Sequence, residues 1–300
     1  MHSTILIFMD GVGIGKKDNE YNPFFKYGFK TFFSVFGEIP NLENQKLSSN
    51  GSYIFPVDAC MGIPDLPLSG TGQTSIFCGV NASKIIGKHF GPYPYSTLIP
   101  IIEKQNIFKE FKRKKLKVNF VNAYPKVFFD YINSGRRRLS VTTLSCLLSN
   151  VRLNKISDIH SKRALSAEIN NNRLVERLKY KLPIISSETA GKRLIRIASN
   201  HHLTVFEIFH TDHLGHGRVA DLLEPFTKTL DEFLYFLISN LTQNMTLLIC
   251  SDHGNFEDLS TKMHTLNPAL GLVAGKYSDI ISKKIKSLDN IKPAIMEMYD

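Results

Sequence analysis

The residues best suited to chemistry are acidic and histidine side chains that follow short apolar runs. In "LICSDHGNFED", Asp252 and His253 stand just after an apolar segment and directly before a glycine. Similar residues recur along the chain, and the full candidate set is Asp10, Asp212, His216, Asp252, His253 and His264. Carboxylates and imidazoles are the ligands that zinc, manganese and iron accept in proteins. These six residues therefore predict a metal site.

Each of these residues also has an ordinary structural interpretation. An aspartate after a strand is often the N-cap of the next helix, and a single histidine usually lies on the surface or in the core. The metal site is favoured because three aspartates and three histidines share one pattern, near strand ends and turns. The remaining histidines are predicted not to be ligands: His2, His89, His160, His201, His202, His210 and His213.

The elements that position these residues alternate between strands and helices. Apolar runs at 4–9, 203–212 and 244–252 predict strands that lead into an aspartate, and apolar residues recur at helical spacing over 222–241. This alternation predicts an α/β fold with a mostly parallel, doubly wound sheet and helices on both faces. Ligands of such sheets bind beyond the carboxyl ends of the strands, where Asp10, Asp212 and Asp252 are expected to meet.

The segment 127–200 differs from the rest of the chain. It is rich in asparagine and arginine, as in "NSGRRRLS" and "SAEINNNRLVERLKYK", and it interrupts the alternating pattern. We expect a small inserted cap or lobe over 127–200, with residues 1–126 and 201–300 forming the core. A chain of 300 residues is long enough to bury one large core.

The net charge of +10 comes largely from two basic runs, "KEFKRKKLK" at 109–117 and "GRRR" at 135–138. Such runs occur on solvated surfaces, and they also attract small anions, nucleic acid or anionic membranes. Neither run has interleaved aromatic residues or a nucleic-acid-binding motif, so nucleic acid is not expected as a partner. The sequence does not indicate an oligomeric state.

Two further features bear on the cellular compartment. No apolar window reaches the roughly 18–20 residues that a membrane span needs, and the apolar run near the N-terminus is too short for the core of a signal peptide. The four cysteines have no CxxC spacing and lie among apolar neighbours, which is typical of a reducing compartment. We therefore expect a cytoplasmic protein without membrane association.

Five motifs together resemble the alkaline phosphatase superfamily. In chain order they are "FMDGVGIG", "PLSGTGQTSIFCGVNA", "DHLGH", "SDHGNFED" and "MHTLNP", and they extend over nearly the whole chain. Their order is most similar to the branch that contains cofactor-independent phosphoglycerate mutase and phosphopentomutase. The resemblance implies an alkaline phosphatase-like fold and a metal-dependent phosphotransfer enzyme, either a phosphomonoester hydrolase or a phosphomutase.

The resemblance also implies roles for individual residues. The nucleophile of several branches stands ten residues before a glycine, which here indicates Ser69 before Gly79, with Thr71 and Thr74 as weaker alternatives. Two divalent ions are implied, Mn²⁺ or Zn²⁺, with Mg²⁺ less favoured. One ion would be bound by Asp212, His216 and His264. The other would be bound by Asp10, Asp252, His253 and the Ser69 oxygen.

By the same resemblance, Ser69 would attack the phosphorus of a small phosphate ester and form a phosphoserine, which water or another hydroxyl then resolves. Arg218 and Lys88 are candidate contacts to the substrate phosphate, although a surface helix start and a proline-rich turn explain them equally well. The chain departs from phosphoglycerate mutase in one respect. That enzyme has a large inserted domain, whereas only the segment 127–200 is available for a cap here.

The alternative is a metal-stabilised binding module without catalysis, whose basic runs would hold an anionic partner. A degenerate relative would be expected to lose metal ligands first, whereas this chain keeps all six and the Ser69 hydroxyl. A sulfatase is not expected, because "SGTGQ" lacks the proline and the arginine of the sulfatase nucleophile motif.

Overall fold

The computed structural model describes residues 1–136 and 138–300, and Arg137 of the second basic run lies outside the described residues. Within this part of the chain, the strands are β1 (Ser3–Met9), β2 (Leu47–Ser49), β3 (Ser52–Val57), β4 (Val118–Phe120), β5 (Ala123–Tyr124), β6 (Asn154–Lys155), β7 (Leu203–Ile208), β8 (Met245–Cys250) and β9 (Ala269–Gly275).

The helices are short, apart from two that cover one face of the sheet. They are α1 (Pro23–Lys26), α2 (Lys30–Phe36), α3 (Ser69–Cys78), α4 (Ala82–Ile86), α5 (Ile99–Gln105), α6 (Ile107–Arg113), α7 (Lys126–Asn133), α8 (Val141–Leu148), α9 (Ile156–His160), α10 (Asn172–Glu176), α11 (Ser187–Ala198), α12 (His210–Gly215), α13 (Leu223–Ser239), α14 (Ser278–Lys284) and α15 (Ile291–Met296). None of the helices in the described ranges has the length and apolar composition that crossing a membrane requires.

Seven strands form one sheet in the order β2-β3-β9-β8-β1-β7-β4. β1 pairs in parallel with β7 on one side and with β8 on the other, and β4 pairs in parallel with β7. β9 is antiparallel to β8 and to β3, and β2 is antiparallel to β3. The sheet is therefore mixed but mostly parallel. This confirms the predicted α/β class, with β2 and β9 as the departures from a purely parallel sheet.

Helices cover both faces of the sheet because its central strands are apolar on both sides. Every residue of β1, β7 and β8 is buried. Along β1, Leu6 and Phe8 join one hydrophobic cluster with side chains of α3, α5, α6 and α8. Ile5 and Ile7 point the other way and join side chains of α2, α11 and α13. Each fully buried side chain of this size contributes about 1.5–3 kcal/mol to stability.

The central strands end at one edge of the sheet, as predicted for the candidate site. Met9 at the end of β1 is paired with Ile208 at the end of β7, and Phe8 is paired with Cys250 at the end of β8. The carboxyl ends of three neighbouring parallel strands therefore lie side by side, and the loops that follow them share one edge.

The strand predicted over 203–212 is too long. β7 ends at Ile208, and Asp212 lies in the short helix α12. The chain turns there because the Thr211 hydroxyl is within bonding distance of two carbonyl oxygens, that of Asp10 at 2.5 Å and that of Ile208 at 3.3 Å. These contacts fasten the first turn of α12 to the end of β1.

The predicted insertion contains elements of two kinds. Its strand β6 pairs with β5, which lies just before the insertion, in a separate two-stranded sheet, beside a small hydrophobic cluster that includes Ile159 and Leu174. In contrast, Val141 of α8 and Leu194 of α11 belong to the two large clusters of the main sheet. A lobe over 127–200 stays a prediction, and the small cluster marks the local core that such a lobe would have.

Candidate metal centre

Three aspartates meet beyond the carboxyl edge of the sheet. Asp10 follows β1 directly, Asp252 follows β8 by two residues, and Asp212 lies in α12. The backbone N–H of Gly11 donates to Asp252 Oδ1 at 3.2 Å. One oxygen of each carboxyl group is buried and accepts no hydrogen bond from the described residues: Asp10 Oδ1, Asp212 Oδ1 and Asp252 Oδ2. A buried oxygen that accepts no hydrogen bond destabilises the folded protein. A bound cation would remove this destabilisation from all three carboxyl groups.

Three histidine rings lie around the aspartates, and the Nε2 atom of each ring faces a carboxylate. His216 Nε2 lies 3.1 Å and His264 Nε2 lies 3.5 Å from Asp212 Oδ1. His253 Nε2 lies 3.4 Å from Asp10 Oδ1 and 3.6 Å from Asp252 Oδ2. The structure therefore brings all six predicted ligands together.

The ligand atoms fall into two overlapping groups. Asp212, His253 and His264 form one group, and Asp10, Asp252 and His253 form the other, with the atoms of each group within 4.8 Å of one another. His253 belongs to both groups, whereas the resemblance had assigned it to one ion alone. His216 approaches the first group through Asp212.

Backbone carbonyls fix the orientation of the three imidazoles. Nδ1 lies 2.6 Å from the Lys262 carbonyl in His216 and 2.7 Å from the Pro67 carbonyl in His264. The corresponding contact of His253, to the Gly254 carbonyl, is 3.3 Å. A carbonyl oxygen only accepts, so each Nδ1 carries a proton, and in the neutral ring Nε2 presents a lone pair to the aspartates. Metal-binding histidines are oriented in this way.

When the rings are neutral, lone pairs therefore face lone pairs across the centre. His216 Nε2 and Asp212 Oδ1 are 3.1 Å apart, and in a ring whose single proton is on Nδ1 neither atom has a hydrogen to share. Such a contact is repulsive unless a cation lies between the two atoms. The donor set of three carboxylates and three imidazoles fits divalent metal ions.

The electrostatics of the aspartates agree with this interpretation. Burial, and then the charges of Asp252 and Asp212, raise the pKa of Asp10 well above its usual value. Burial also acts to raise the pKa of Asp212, but a hydrogen bond from His264 and the positive charges of the imidazoles, when these rings are protonated, outweigh burial and lower it. Like-charged carboxylates at such close range destabilise one another in the metal-free protein, and a divalent ion would relieve this repulsion.

Ser69 is the first residue of α3 and faces the same centre. Its hydroxyl oxygen lies 3.0 Å from His253 Nε2, and the residue is 7% exposed. The alternative hydroxyls have other partners: Thr71 Oγ1 donates to the Leu68 carbonyl, and Thr74 Oγ1 donates to the Gly70 carbonyl. Of the three hydroxyls considered from the sequence, that of Ser69 is the one in contact with a candidate ligand.

The glycine after Ser69 is required by the close packing of α3. A Cβ atom at Gly70 would lie 2.1 Å from the Tyr93 carbonyl oxygen and 2.7 Å from that of Phe90. Gly72 is similarly restricted, because its Cβ would lie 2.9 Å from the Cβ of Asp252. These approaches hold the start of α3 against the loop that carries a candidate ligand, which explains the glycines in "SGTGQ".

Glu257 connects three of the sequence motifs. The N–H groups of Gly13 and Asn255 donate to Oε2 at 2.7 and 2.8 Å, and the Thr265 hydroxyl donates to Oε1 at 2.6 Å. Asn267 Nδ2 adds a fourth bond at 3.0 Å. The two bonds to Oε2 join the glycine-rich turn after β1 to the "SDHGN" segment. The two bonds to Oε1 join both of these to the segment that contains His264.

A cavity of about 590 Å³ opens beside the candidate ligands. Asp10, Ser69 and Asp212 line one part of it, and side chains from the predicted lobe and from several core segments line the rest. The lining includes the stacked rings of Tyr124, just before the predicted lobe, and Phe128, within it, whose centroids are 4.0 Å apart. The cavity is large enough for a phosphoryl group together with a small organic group.

The two predicted substrate contacts have different surroundings. Arg218 lines the cavity. Lys88 is exposed and does not line it; its ammonium group lies over the rings of Phe90 and Tyr95. In the second basic run, Arg138 lines the cavity. Lys88 is therefore the one predicted site residue that the structure places away from the others.

Several cavity residues were not predicted from the sequence. Glu207 of β7 is fully buried, accepts a hydrogen bond from Thr142 Oγ1 at 3.2 Å, and has its pKa raised to about 7 by burial. His210, which was predicted not to be a ligand, contacts Arg173 in the cavity wall. An acidic residue inside the apolar run "TVFEIF" was the available signal for Glu207. The contact between Arg173 and His210 depends on tertiary packing, which the sequence pattern does not contain.

Residues 166–299 match the model of the Metalloenzyme superfamily. The matched part contains five of the six candidate ligands, whereas Asp10 and Ser69 precede it. No curated protein sequence matches the chain.

Solved structures share the fold over nearly the whole chain. The PH0037 protein from Pyrococcus horikoshii superposes with a TM-score of 0.57 at 11% identity, covering 99% of this chain and 97% of that chain. The cold-active alkaline phosphatase from the psychrophile Shewanella sp. gives 0.55 at 9% identity, with 98% and 99% covered. The chain therefore has an alkaline phosphatase-like fold. Together with the superfamily match, this supports the superfamily resemblance, whereas the mutase branch stays a prediction.

Proposed function

We propose that this chain is a two-metal-dependent phosphotransfer enzyme that acts on small phosphate esters through a phosphoserine at Ser69. The observation that carries the proposal is the position of the Ser69 hydroxyl, 3.0 Å from His253 Nε2 and in the same cavity as Asp10 and Asp212. The superfamily match and the alkaline phosphatase-like fold support a metal-dependent phosphoesterase chemistry.

The proposed ligands follow from the contacts described above. One ion would be held by Asp212, His216 and His264, and the other by Asp10, Asp252, His253 and Ser69 Oγ. His253 belongs to both groups of candidate ligands, so it could bind either ion. When bound, such ions lower the pKa of a coordinated hydroxyl and neutralise the charge of phosphate oxygens. Mn²⁺ and Zn²⁺ suit this mixture of carboxylate and imidazole ligands better than Mg²⁺ does.

The residues of the chain then have separate tasks. Ser69 Oγ forms a bond to phosphorus while the bond from phosphorus to the ester oxygen breaks, and the alcohol leaves with a proton. Ser69 is the first residue of α3, so the new phosphoryl group would lie at the positive end of that helix dipole. Arg218 in the cavity wall is a proposed contact to the phosphate oxygens. Attack by water or by an acceptor hydroxyl on the phosphoserine regenerates Ser69.

Burial of the reacting group supports this chemistry. Ser69 is 7% exposed and Asp252 and His253 are fully buried, so few water molecules compete with the substrate for these groups. Charge–charge interactions are stronger at such sites than in water. The predicted lobe supplies part of the remaining cavity wall, and we propose that it selects the alcohol part of the substrate.

The test of the nucleophile is Ser69→Ala, assayed with p-nitrophenyl phosphate and phosphosugars in the presence of Mn²⁺ or Zn²⁺. We expect turnover to fall by about 10³-fold or more, with circular dichroism close to that of the wild type and with two ions still bound at saturating metal, one of them through Asp10, Asp252 and His253 without the Ser69 oxygen. Acid-quenched wild type should carry a phosphoryl group on Ser69 by mass spectrometry. Thr74→Val is the matched control on the same helix and should keep most activity. Full activity of Ser69→Ala, or a phosphoryl group on another residue, would refute the assignment.

Hydrolase and mutase activities require separate measurements. Release of inorganic phosphate from either substrate class would indicate a phosphohydrolase. Isomerisation of a phosphosugar without phosphate release would indicate a phosphomutase, as the resemblance to phosphopentomutase suggests. Both outcomes require the same phosphoserine, so Ser69→Ala should abolish whichever activity is found.

A further inference from the structure

Arg173 carries a positive charge into the cavity wall without a carboxylate partner. The residue is partly buried and lines the same cavity as Ser69 and Asp212. Its Nη1 donates a hydrogen bond to His210 Nε2 at 2.9 Å. No described carboxylate lies within 4.0 Å of its guanidinium nitrogens, whereas the buried Glu168 lines the same cavity and is close enough to interact electrostatically with Arg173. A guanidinium group has five N–H donors, and the bond to His210 uses one of them.

His210 is a neutral support for Arg173. Nε2 accepts a hydrogen bond from the guanidinium group, so the ring proton must be on Nδ1. His210 is 3% exposed, and its Nδ1 has no hydrogen-bond partner among residues 1–136 and 138–300.

Other arginines of the same region are paired differently. Arg152 and Arg163 both bond to the buried carboxylate of Asp158, and Arg177, one turn after Arg173, pairs with Asp221 at 2.7 Å. A carboxylate partner neutralises an arginine, whereas an imidazole orients it and leaves its charge available. The charge of a partly buried arginine is costly unless a counter-ion is present. Arg173 is therefore suited to an anionic ligand.

Arg173 lies in α10, on a different segment of the chain from the candidate metal ligands. Asp10, Ser69 and Asp212 line the part of the cavity where metal ions and the transferred phosphoryl group would bind. Arg173 lines the same cavity, and the acidic residues Glu168 and Glu207 also belong to its wall. Arg138 and Arg218 also line it.

We propose that Arg173, positioned by His210, binds a second anionic group of the substrate, in the part that is not transferred. This inference rests on the proposed phosphotransfer function and defines its substrate class as phosphate esters whose alcohol carries a carboxylate or another phosphate. Arg173 contacts the substrate, and His210 is a positioning residue that acts through Arg173. Planar guanidinium groups bind both kinds of oxyanion, often through two parallel hydrogen bonds.

The test compares three substrates with the same carbon chain and metal-loaded enzyme. They are propyl phosphate, 3-phosphonooxypropanoate, which adds a carboxylate, and propane-1,3-diyl bisphosphate, which adds a phosphate. We expect kcat/KM of at least one doubly anionic substrate to exceed that of propyl phosphate by about tenfold or more, mainly through KM. The substrate that shows the larger preference identifies the second anion.

Variants assign that preference to the two residues. Arg173→Ala should reduce the preference for the doubly anionic substrate about 10- to 100-fold. Arg173→Lys should retain part of the preference, because lysine keeps the positive charge but lacks the planar set of N–H donors of a guanidinium group. His210→Gln keeps an acceptor and should retain more of the preference than His210→Leu, which keeps only bulk. Arg177→Ala, whose partner is Asp221, is the matched control and should keep the preference.

The results separate this inference from the proposed function. Turnover of propyl phosphate without any preference, or a preference that survives in Arg173→Ala, would overturn the role of Arg173 and leave phosphotransfer intact. Absence of all turnover would count against the proposed function. In that case, calorimetric binding of 3-phosphonopropanoate and propylphosphonate to the metal-loaded protein decides the inference. Equal affinities in wild type and Arg173→Ala would refute it.

Discussion

The imidazole rings of His253 and His264 are stacked, with their centroids 3.7 Å apart and their planes 16° from parallel. His253 lies in the "SDHGN" segment after β8, whereas His264 lies eleven residues later and is oriented by the Pro67 carbonyl just before α3. The stack joins the two groups of candidate ligands, because His253 is within ligand distance of both. Two metal ions bound here would therefore share one continuous set of side chains.

This arrangement predicts unequal effects of removing each histidine. His264→Gln should reduce tightly bound metal from about two ions per chain to about one, because His264 belongs to only one of the two groups of candidate ligands. His253→Gln should weaken both ions, by about 10- to 100-fold in affinity. Metal content after dialysis and titration calorimetry provide the measurement. The exposed His160→Gln is the control, and equal losses in both variants would contradict the shared position of His253.

The second prediction concerns Glu257, which accepts four hydrogen bonds from three motif segments. Glu257→Gln replaces one oxygen by an NH₂ group, which then meets either the N–H groups of Gly13 and Asn255 or the donors of Thr265 and Asn267. Donors facing donors should destabilise the fold by about 2–3 kcal/mol. Metal affinity should also fall, because these segments carry candidate ligands.

Urea unfolding and metal titration of Glu257→Gln measure both effects. The exposed Glu224→Gln, which loses only a surface pair with Lys228, should change stability by less than about 0.5 kcal/mol. A Glu257→Gln protein with wild-type stability and wild-type metal affinity would show that Glu257 does not hold the motif segments in place.

The sequence was sufficient for the fold class and for the meeting point of the candidate ligands, for a definite physical reason. Buried parallel strands are apolar throughout, as in β1 and β8, and the residues beyond their carboxyl ends must converge at one edge. The end of β7 was misplaced, because "LTVFEIFHTD" stays apolar through Phe209 while the chain has already turned into α12. Periodicity does not detect a turn made by hydrogen bonds of Thr211.

The cavity wall was harder to predict because it depends on contacts between distant segments. Arg173 and His210 are separated by 37 positions and meet only when α10 packs beside α12. Lys88 is the converse case: its sequence neighbours suggested a phosphate contact, which stays a prediction, and its side chain lies over two aromatic rings. Local sequence patterns therefore predict which residues lie at strand ends. The positions of side chains from loops and short helices depend on packing between distant segments, which no short motif specifies.

The last prediction concerns Glu207, whose carboxyl group is fully buried beside the candidate metal centre. Burial raises the pKa of Glu207 from its ordinary value of 4.5 to about 7. A raised pKa means that the folded protein favours the protonated form, so the stabilising contribution is complete below pH 4.5 and is lost as the pH rises through 7. A difference of this size corresponds to about 3 kcal/mol at high pH.

Glu207→Gln removes this titration and keeps an oxygen that accepts the bond from Thr142 Oγ1. In metal-free protein, the free energy of unfolding of the variant should therefore exceed that of the wild type increasingly from pH 4.5 to pH 7, and the difference should be constant above that range. Urea unfolding of both proteins across pH 4–8, with chelator present, measures this difference. Glu103→Gln, at an exposed position, should give a curve that follows the wild type. Parallel curves for Glu207→Gln and the wild type would mean that Glu207 titrates near its ordinary pKa despite its burial.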